Sequence, residues 1–295
     1  MGYLYMAVAL LCSTAKGFCG KKQSQHVHGV RGVMTVNFLR MLCCVAVGAV
    51  ILAAGEGFGA LAVSGRAAGI LSLSGISNAA QVILWLLVVQ RSAYMLLDVF
   101  ATLGVIVPML VCRVLFDEAI RPIQWGGYVL LCAAAMVMCS YSMSLKQKKM
   151  GAADYGLLLC FGLAAGMTDL TQKLYLNYCP EISKNVFNFY TFLFAAAVMA
   201  VVLLILCRDK SAPHCPLGKV WYYIVIMAVM LFLVTYFKTA AASVLPAVQV
   251  YPLFQGGVLV TAALMAAVCF GEKITRRCLL GMGMTFMAML MMNVL

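Results

Sequence analysis

Apolar residues run through this chain in long unbroken blocks separated by short polar punctuation, and they do not alternate with period two. A bilayer-spanning helix needs about 20 predominantly apolar residues, and only helices or closed barrels satisfy the backbone inside lipid. Continuous runs without alternation exclude the barrel. The pattern predicts helices at Tyr3–Lys22, Val33–Ala54, Ala67–Val89, Tyr94–Leu115, Gln124–Met143, Tyr155–Leu174, Val186–Cys207, Val220–Ala240, Ala247–Phe270 and Arg277–Val294. The expected fold is therefore an all-α integral membrane protein with ten transmembrane helices.

The connections are short, "KQKKMGAAD" (146–154) and "CRDKSAPHCPLGK" (207–219) being the clearest polar ones. None is long enough to fold as a domain, so function has to sit within or between the helices. The opening "MGYLYMAVALLC" lacks a basic stretch ahead of its apolar run and reads as a retained first helix rather than a signal peptide.

The blocks repeat. "FDEAIRPIQWGGYVLLCAAAM" (116–136) and "FGEKITRRCLLGMGMTFMAML" (270–290) align at an offset of 154, pairing Phe116 with Phe270, Glu118 with Glu272, Ile120 with Ile274 and Gly127 with Gly281. Upstream, "VNFLRML" (36–42) answers "FNFYTFL" (187–193) at an offset of 151, which also carries Lys22 onto Lys173. Each unit, residues 1–145 and 146–295, holds five helices. An odd number of crossings makes the second copy enter the membrane from the opposite side, so the expected halves are inverted repeats. Exchanging their packings moves an opening from one face to the other, which is alternating access and favours a carrier over an enzyme or a scaffold.

Composition agrees with this reading. The chain has 295 residues, is 65% hydrophobic and 10% charged, and has a net charge of +12, against about 25% charged residues in soluble domains. The excess lies mostly in loops, where it fits contact with anionic lipid headgroups. No basic run is interleaved with aromatics, so nucleic-acid binding has no support. Thirteen cysteines make no CxxC pair and lie mostly in apolar runs, where they act as small hydrophobes. His26 and His28 are too few for a metal site. HExxH, Gly-x-Gly-Asp and paired-aspartate patterns are absent from the sequence, which leaves an intramembrane enzyme as the weakest alternative.

Ionisable groups inside spans are costly, and each is a functional candidate weighed against a structural one. Asp169 and Lys173 stand four apart with the acid first, the spacing of an intrahelical ion pair that would simply neutralise both charges. Asp98 sits early in the fourth helix, where the dipole favours an acid, but no basic residue lies at i±3 or i±4, so a cation or proton is its functional partner. Lys16 and Arg40 together suit a carboxylate or phosphate, the arginine through a bidentate fork, unless Asp98 pairs with one of them. Asn37, Asn78, Gln81, Gln249 and Tyr251 are uncharged hydrogen-bonding candidates. Lys22, Arg113 and Lys238 lie at helix ends, where they can snorkel.

Pro108 in the fourth helix and "QGG" (255–257, with Gly256 and Gly257) in the ninth are expected to break the ladder near the midplane and act as gates or cavity walls. Glu118, with Gly271-Glu272 in the second copy, reads as a structural turn. The acids there stabilise the N-termini of helices five and ten and pair with Arg121 and Arg276. "GLAAG" (162–166) has the GxxxG spacing of close helix contact.

With these residues in view, "YFKTAAASVLPAVQVYPLF" (236–254) followed by "LMAAVCFGEKITRRCLLGMGMTFMAML" resembles the second EamA-type repeat of the drug/metabolite transporter superfamily. The features shared are a lysine-bearing helix end, small residues, a proline-containing ninth helix and a Gly-Glu turn. In the first half Asp117 replaces the glycine. The resemblance implies a ten-helix transporter with neither cofactor nor ATP, and leaves the substrate class open.

The expectation is a secondary transporter, with export the expected direction, of small polar metabolites. Proton or counter-substrate coupling is possible, and a bacterial inner membrane is the expected location. A flippase of lipid-linked substrates on the same fold is the alternative. Basic residues concentrate in the odd-numbered connections, which by the positive-inside rule puts both termini outside, whereas the resemblance implies both inside; both orientations stand.

Overall fold

The computed structural model describes residues 1–24, 26–27, 29–91, 94–145, 152–206, 217–270 and 276–293. A few side chains in the helices, Asp98 among them, lie outside the description. Eleven α-helices are described: α1 (Gly2–Ser24), α2 (Gly29–Gly55), α3 (Gly65–Arg91), α4 (Tyr94–Gly104), α5 (Ile106–Phe116), α6 (Pro122–Leu145), α7 (Ala152–Tyr178), α8 (Lys184–Leu206), α9 (Leu217–Ala242), α10 (Ala247–Phe270) and α11 (Arg276–Met292). A 3₁₀ turn, Phe58–Leu61, follows α2. Six helices, α1, α2, α3, α8, α9 and α10, hold a stretch long and apolar enough to cross a bilayer on composition alone.

The burial pattern is that of a molecule solvated by lipid. Large apolar side chains face outward, as at Val50, Leu204 and Val268, which are 68%, 71% and 83% exposed. Polar groups are turned inward: Asn37, Ser74, Asn78, Lys173, Asn188, Thr191, Lys238 and Gln249 are all buried. With that outward face, the chain is an all-α membrane protein.

The expected fourth helix is two segments. Pro108 has no N–H for the carbonyl of Gly104, and its ring crowds that carbonyl. The ladder gives way there, and Val105 bonds back to Thr102 at 3.3 Å. The Tyr128 hydroxyl, from α6, donates to the Leu103 carbonyl at 2.8 Å and so satisfies an acceptor beside the break. The ninth expected helix differs. α10 runs through Gly256 and Gly257 without interruption, so these glycines do not break the ladder as expected. A Cβ on Gly257 would stand 2.6 Å from Leu10 Cδ2, and one on Gly256 3.2 Å from Leu131 and Thr285, so their use is close helix approach.

The principal helix contacts recur when α1–α6 and α7–α11 are exchanged in the order of the repeat. α2 packs on its counterpart α8, and α6 on its counterpart α11. α1 on α9 is answered by α7 on α3, α2 on α9 by α8 on α3, and α4 on α6 by α10 on α11. Between apolar helices in lipid, such contacts rest on van der Waals fit and interhelical polar bonds. Phe192 of α8 stacks obliquely on Phe232 of α9 beside Met41 and Cys44 of α2, and Ser74 of α3 shares a 2.9 Å hydrogen bond with Thr191 of α8.

Successive spans set two faces. The near face holds the turns 56–64, 116–121, 179–183 and 243–246, where Gly2 meets Leu245 and Gln124 Nε2 donates to the Met292 carbonyl at 3.3 Å. The far face is where α1 and α9 differ in sense: α1 ends there and α9 begins.

Candidate functional site

The candidate polar residues separate into an interior cluster and an ion-paired cluster near one face. In the interior, Lys16 of α1 and Arg40 of α2 both lie within electrostatic reach of the Cys44 thiol, which itself donates to the Ala228 carbonyl at 3.4 Å. Arg40 Nε is buried and has no hydrogen-bond partner among the described residues. Asn78 Oδ1 and both amide atoms of Asn188 are in the same condition. Asn37, the repeat counterpart of Asn188, spends its Nδ2 on the Val33 carbonyl at 2.9 Å. Leaving a buried polar group unpaired costs about 1–3 kcal/mol, so several together in one bundle call for a ligand or water that satisfies them. Gln81 is half-buried, and Gln249 is buried in α10.

The second cluster corrects the expected Asp169–Lys173 pair. Asp169 instead binds Lys238 of α9, Nζ to Oδ1 at 2.5 Å. The Lys238 ammonium also lies over the rings of Phe254, at 4.6 Å, and Tyr251, at 5.3 Å. Lys238 is buried rather than snorkelling, because it lies a full turn inside α9 with an acid to meet it. Tyr251 is fully buried with an unpartnered hydroxyl. Lys173 instead reaches Glu118 Oε1 at 3.1 Å and the Leu245 carbonyl at 2.9 Å. Two interhelical bonds hold Lys173 where an i,i+4 pair would hold it with one.

Glu118 is thus engaged by Lys173 and does not cap the helix that follows it. Its Oε2 accepts the N–H of Ala247, the first residue of α10, at 2.7 Å, and the N-terminus of α6 is closed by Gln124, whose Oε1 accepts the Arg121 N–H at 3.0 Å. Gly271 and Glu272 lie outside the described residues, as does the Asp98 side chain. Sequence reasoning missed Asn188 and Lys238 as site members. Asn188 had a signal, its repeat relation to Asn37; Lys238 had only its place near a helix end, which suggested solvent.

A cavity of about 430 Å³ opens at the near face, lined in part by Glu56, Tyr175, Asn185, Tyr236 and Ser243. None of the candidate site residues lines it. It lies at the mouth of the helices whose ion pairs sit further in, Lys173 and Asp169 preceding Tyr175 along α7.

Close packing accompanies the α4–α7 contact. A Cβ on Gly104 would come 2.0 Å from the Gly162 carbonyl oxygen, and one on Gly166 2.2 Å from that of Gly104. The GxxxG spacing at 162–166 is therefore a true backbone-to-backbone contact.

A helical bundle with an apolar exterior and buried polar atoms within is a polytopic membrane fold. Residues 154–294 match the model of the EamA-like transporter family, consistent with a membrane transporter of the drug/metabolite transporter type. A solved structure described only as "Crystal structure of protein" is similar over 99% of this chain and 97% of its own, with a TM-score of 0.78 and 12% identity, a likeness of fold alone. No curated protein matches the sequence.

Proposed function

We propose that the protein is a secondary transporter of small polar metabolites, exporting them by alternating access across a bacterial inner membrane. Residues 1–145 and 146–295 act as the two inverted halves, without ATP or cofactor. Substrate is held in the interior by Lys16, Asn37, Arg40 and Asn78, with Asp98, Gln81 and Gln249 as further polar contacts. The observation that carries the reading is the set of buried, unpartnered polar atoms: Arg40 Nε and Asn78 Oδ1 in one half, Asn188 in the other. Donors and acceptors left unpaired on both halves suit a ligand that bridges them, and a bridging ligand is what couples their movement. The exchange symmetry of the helix contacts supports the division.

The test is thermal unfolding of purified protein against metabolites sorted by charge class, followed by counterflow in proteoliposomes. A ligand that binds only the folded state raises apparent stability by mass action. A dose-dependent shift in one class, with counterflow of the same compound lost in Arg40→Ala, supports the reading. Counterflow that persists in Arg40→Ala and Asn78→Ala removes the interior cluster from the site, and lipid scrambling without counterflow identifies a flippase.

A further inference from the structure

The near-face cavity of about 430 Å³ stands apart from both polar clusters, and its volume is that of a small-ligand pocket. Its walls come from the residue after α2, the start of α8, and α7 and α9. They carry one acid, Glu56, and one base, Lys184. No ion pair joins the two among the described residues, where the near-face pairs are made by Lys173 and Lys238 instead.

Local structure fixes each charge where it stands. The Glu56 N–H still bonds the Leu52 carbonyl at 3.0 Å, and Gly57, with φ at +74°, then turns the chain away from α2. One carboxylate oxygen of Glu56, Oε1, accepts Asn185 Nδ2 at 2.8 Å, which leaves Oε2 for another donor. Lys184 is the chain neighbour of that same asparagine and opens α8, whose start is closed by Ser183 Oγ accepting the Val186 N–H at 3.2 Å. Glu56 and Tyr236 both lie within electrostatic reach of Tyr175, whose hydroxyl is committed to the Ile182 carbonyl at 2.6 Å. An acid beside two tyrosines suits an ammonium group.

We propose that this cavity is a second binding site, taking a small zwitterion whose ammonium meets Glu56 beside Tyr175 and Tyr236 and whose anionic end meets Lys184. A bare cation would be drawn to Glu56 and opposed by Lys184, and a bare anion the reverse. A ligand with both charges gains at each end and adds no net charge to the cavity. The site is separate from the interior cluster, since Lys16, Arg40 and Asn78 do not line it.

The experiment is titration calorimetry of the purified protein with glycine, β-alanine, 4-aminobutyrate and 6-aminohexanoate, against butylamine and butyrate. At least one zwitterion should bind about tenfold tighter than either singly charged compound, and less tightly at high salt. Glu56→Gln keeps an acceptor for Asn185 while removing the charge, and Lys184→Gln removes the other; each should weaken binding about tenfold. The exchange Glu56→Lys/Lys184→Glu should restore binding, because the ligand can turn end for end, a recovery that a purely structural role would not give. Hydrogen exchange with ligand bound should slow at residues 181–187. In phosphatidylglycerol nanodiscs, loss of the free compound when phosphatidylethanolamine is added would assign the same two charges to a lipid headgroup. Equal binding of the singly charged compounds, protection only at 36–44 and 74–81, affinity unaltered in both single variants, or no binding at any chain length overturns the proposal. No transport is measured, so failure here is distinct from failure of counterflow.

Discussion

Gly104 and Gly162 meet backbone to backbone: a Cβ on Gly104 would stand 2.0 Å from the Gly162 carbonyl oxygen, where real Cβ atoms do not go. The obstacle is main chain and cannot turn aside. Gly104→Ala must therefore force α4 and α7 apart, at about 1–3 kcal/mol for an overpacked contact. Gly156→Ala, on the same helix α7 with open space around it, gains about 0.5–1 kcal/mol from helix propensity. Thermal unfolding in one detergent should separate the two in opposite directions. A Gly104→Ala protein as stable as Gly156→Ala would mean that the helices do not touch there.

The exchange of partners between Asp169 and Lys173 gives a second prediction. Removing one member of a buried pair strands the other, at about 3–5 kcal/mol, while replacing both with apolar groups is often neutral or better. Asp169 and Lys238 are each at most 14% exposed at the side chain. Asp169→Asn and Lys238→Met should each lower the unfolding temperature more than the double variant does, with a coupling energy that a double-mutant cycle resolves. Additive single effects would show that the two residues do not act as a pair. A matching cycle on Asp169 and Lys173 should give no coupling, which distinguishes the observed pairing from the i,i+4 pairing that their spacing suggests.

That contrast shows what the sequence could and could not convey. Spans were legible because twenty apolar residues in a row have one stable arrangement in lipid. The repeat expectation rests on Glu118 and Glu272, and on Asn37 and Asn188, which are rare letters in an apolar text. Partners were not legible. Asp169 has Lys173 one turn away, but which lysine it meets depends on how α7 lies against α9, and that is decided by helix packing spread over the whole bundle. The same holds for glycine. "QGG" in α10 and Gly104 in α4 look alike as letters. One pair lets Leu10 and Leu131 approach an intact helix, and the other ends a segment beside Pro108, where a missing N–H breaks the ladder. Proline removes a bond by its own chemistry, so Pro108 marked its region correctly, the break falling three residues ahead of it.

Tyr128 tests how that break is tolerated. Its hydroxyl donates to the Leu103 carbonyl at 2.8 Å from the neighbouring helix α6. Tyr128→Phe keeps the ring and leaves that carbonyl without its donor. The expected cost is about 1–3 kcal/mol, the price of an unsatisfied buried group. The measurement is thermal unfolding, with hydrogen exchange at residues 105–109 as the local readout. Equal stability with unchanged exchange would show that the break needs no support from α6.

Arg40 should behave in the opposite sense to the structural residues. Its Nε is buried with no hydrogen-bond partner among the described residues, and the Cys44 thiol lies within its electrostatic reach. A residue kept for packing would lose stability when replaced. A residue kept for a ligand carries its desolvation cost unrelieved until that ligand arrives. Arg40→Met, similar in length and apolar, should therefore raise the ligand-free unfolding temperature, by a free energy of about 1 kcal/mol or more. It should also weaken binding of an anionic ligand about tenfold or beyond, the worth of a charge-assisted hydrogen bond. Arg40→Lys keeps the charge without the fork, so it should retain part of the binding and little of the stability gain. Ligand titrations followed by unfolding, run in parallel on the three proteins, read both quantities at once. Loss of stability in Arg40→Met with ligand affinity intact would assign the arginine to the fold and take it out of the transport site.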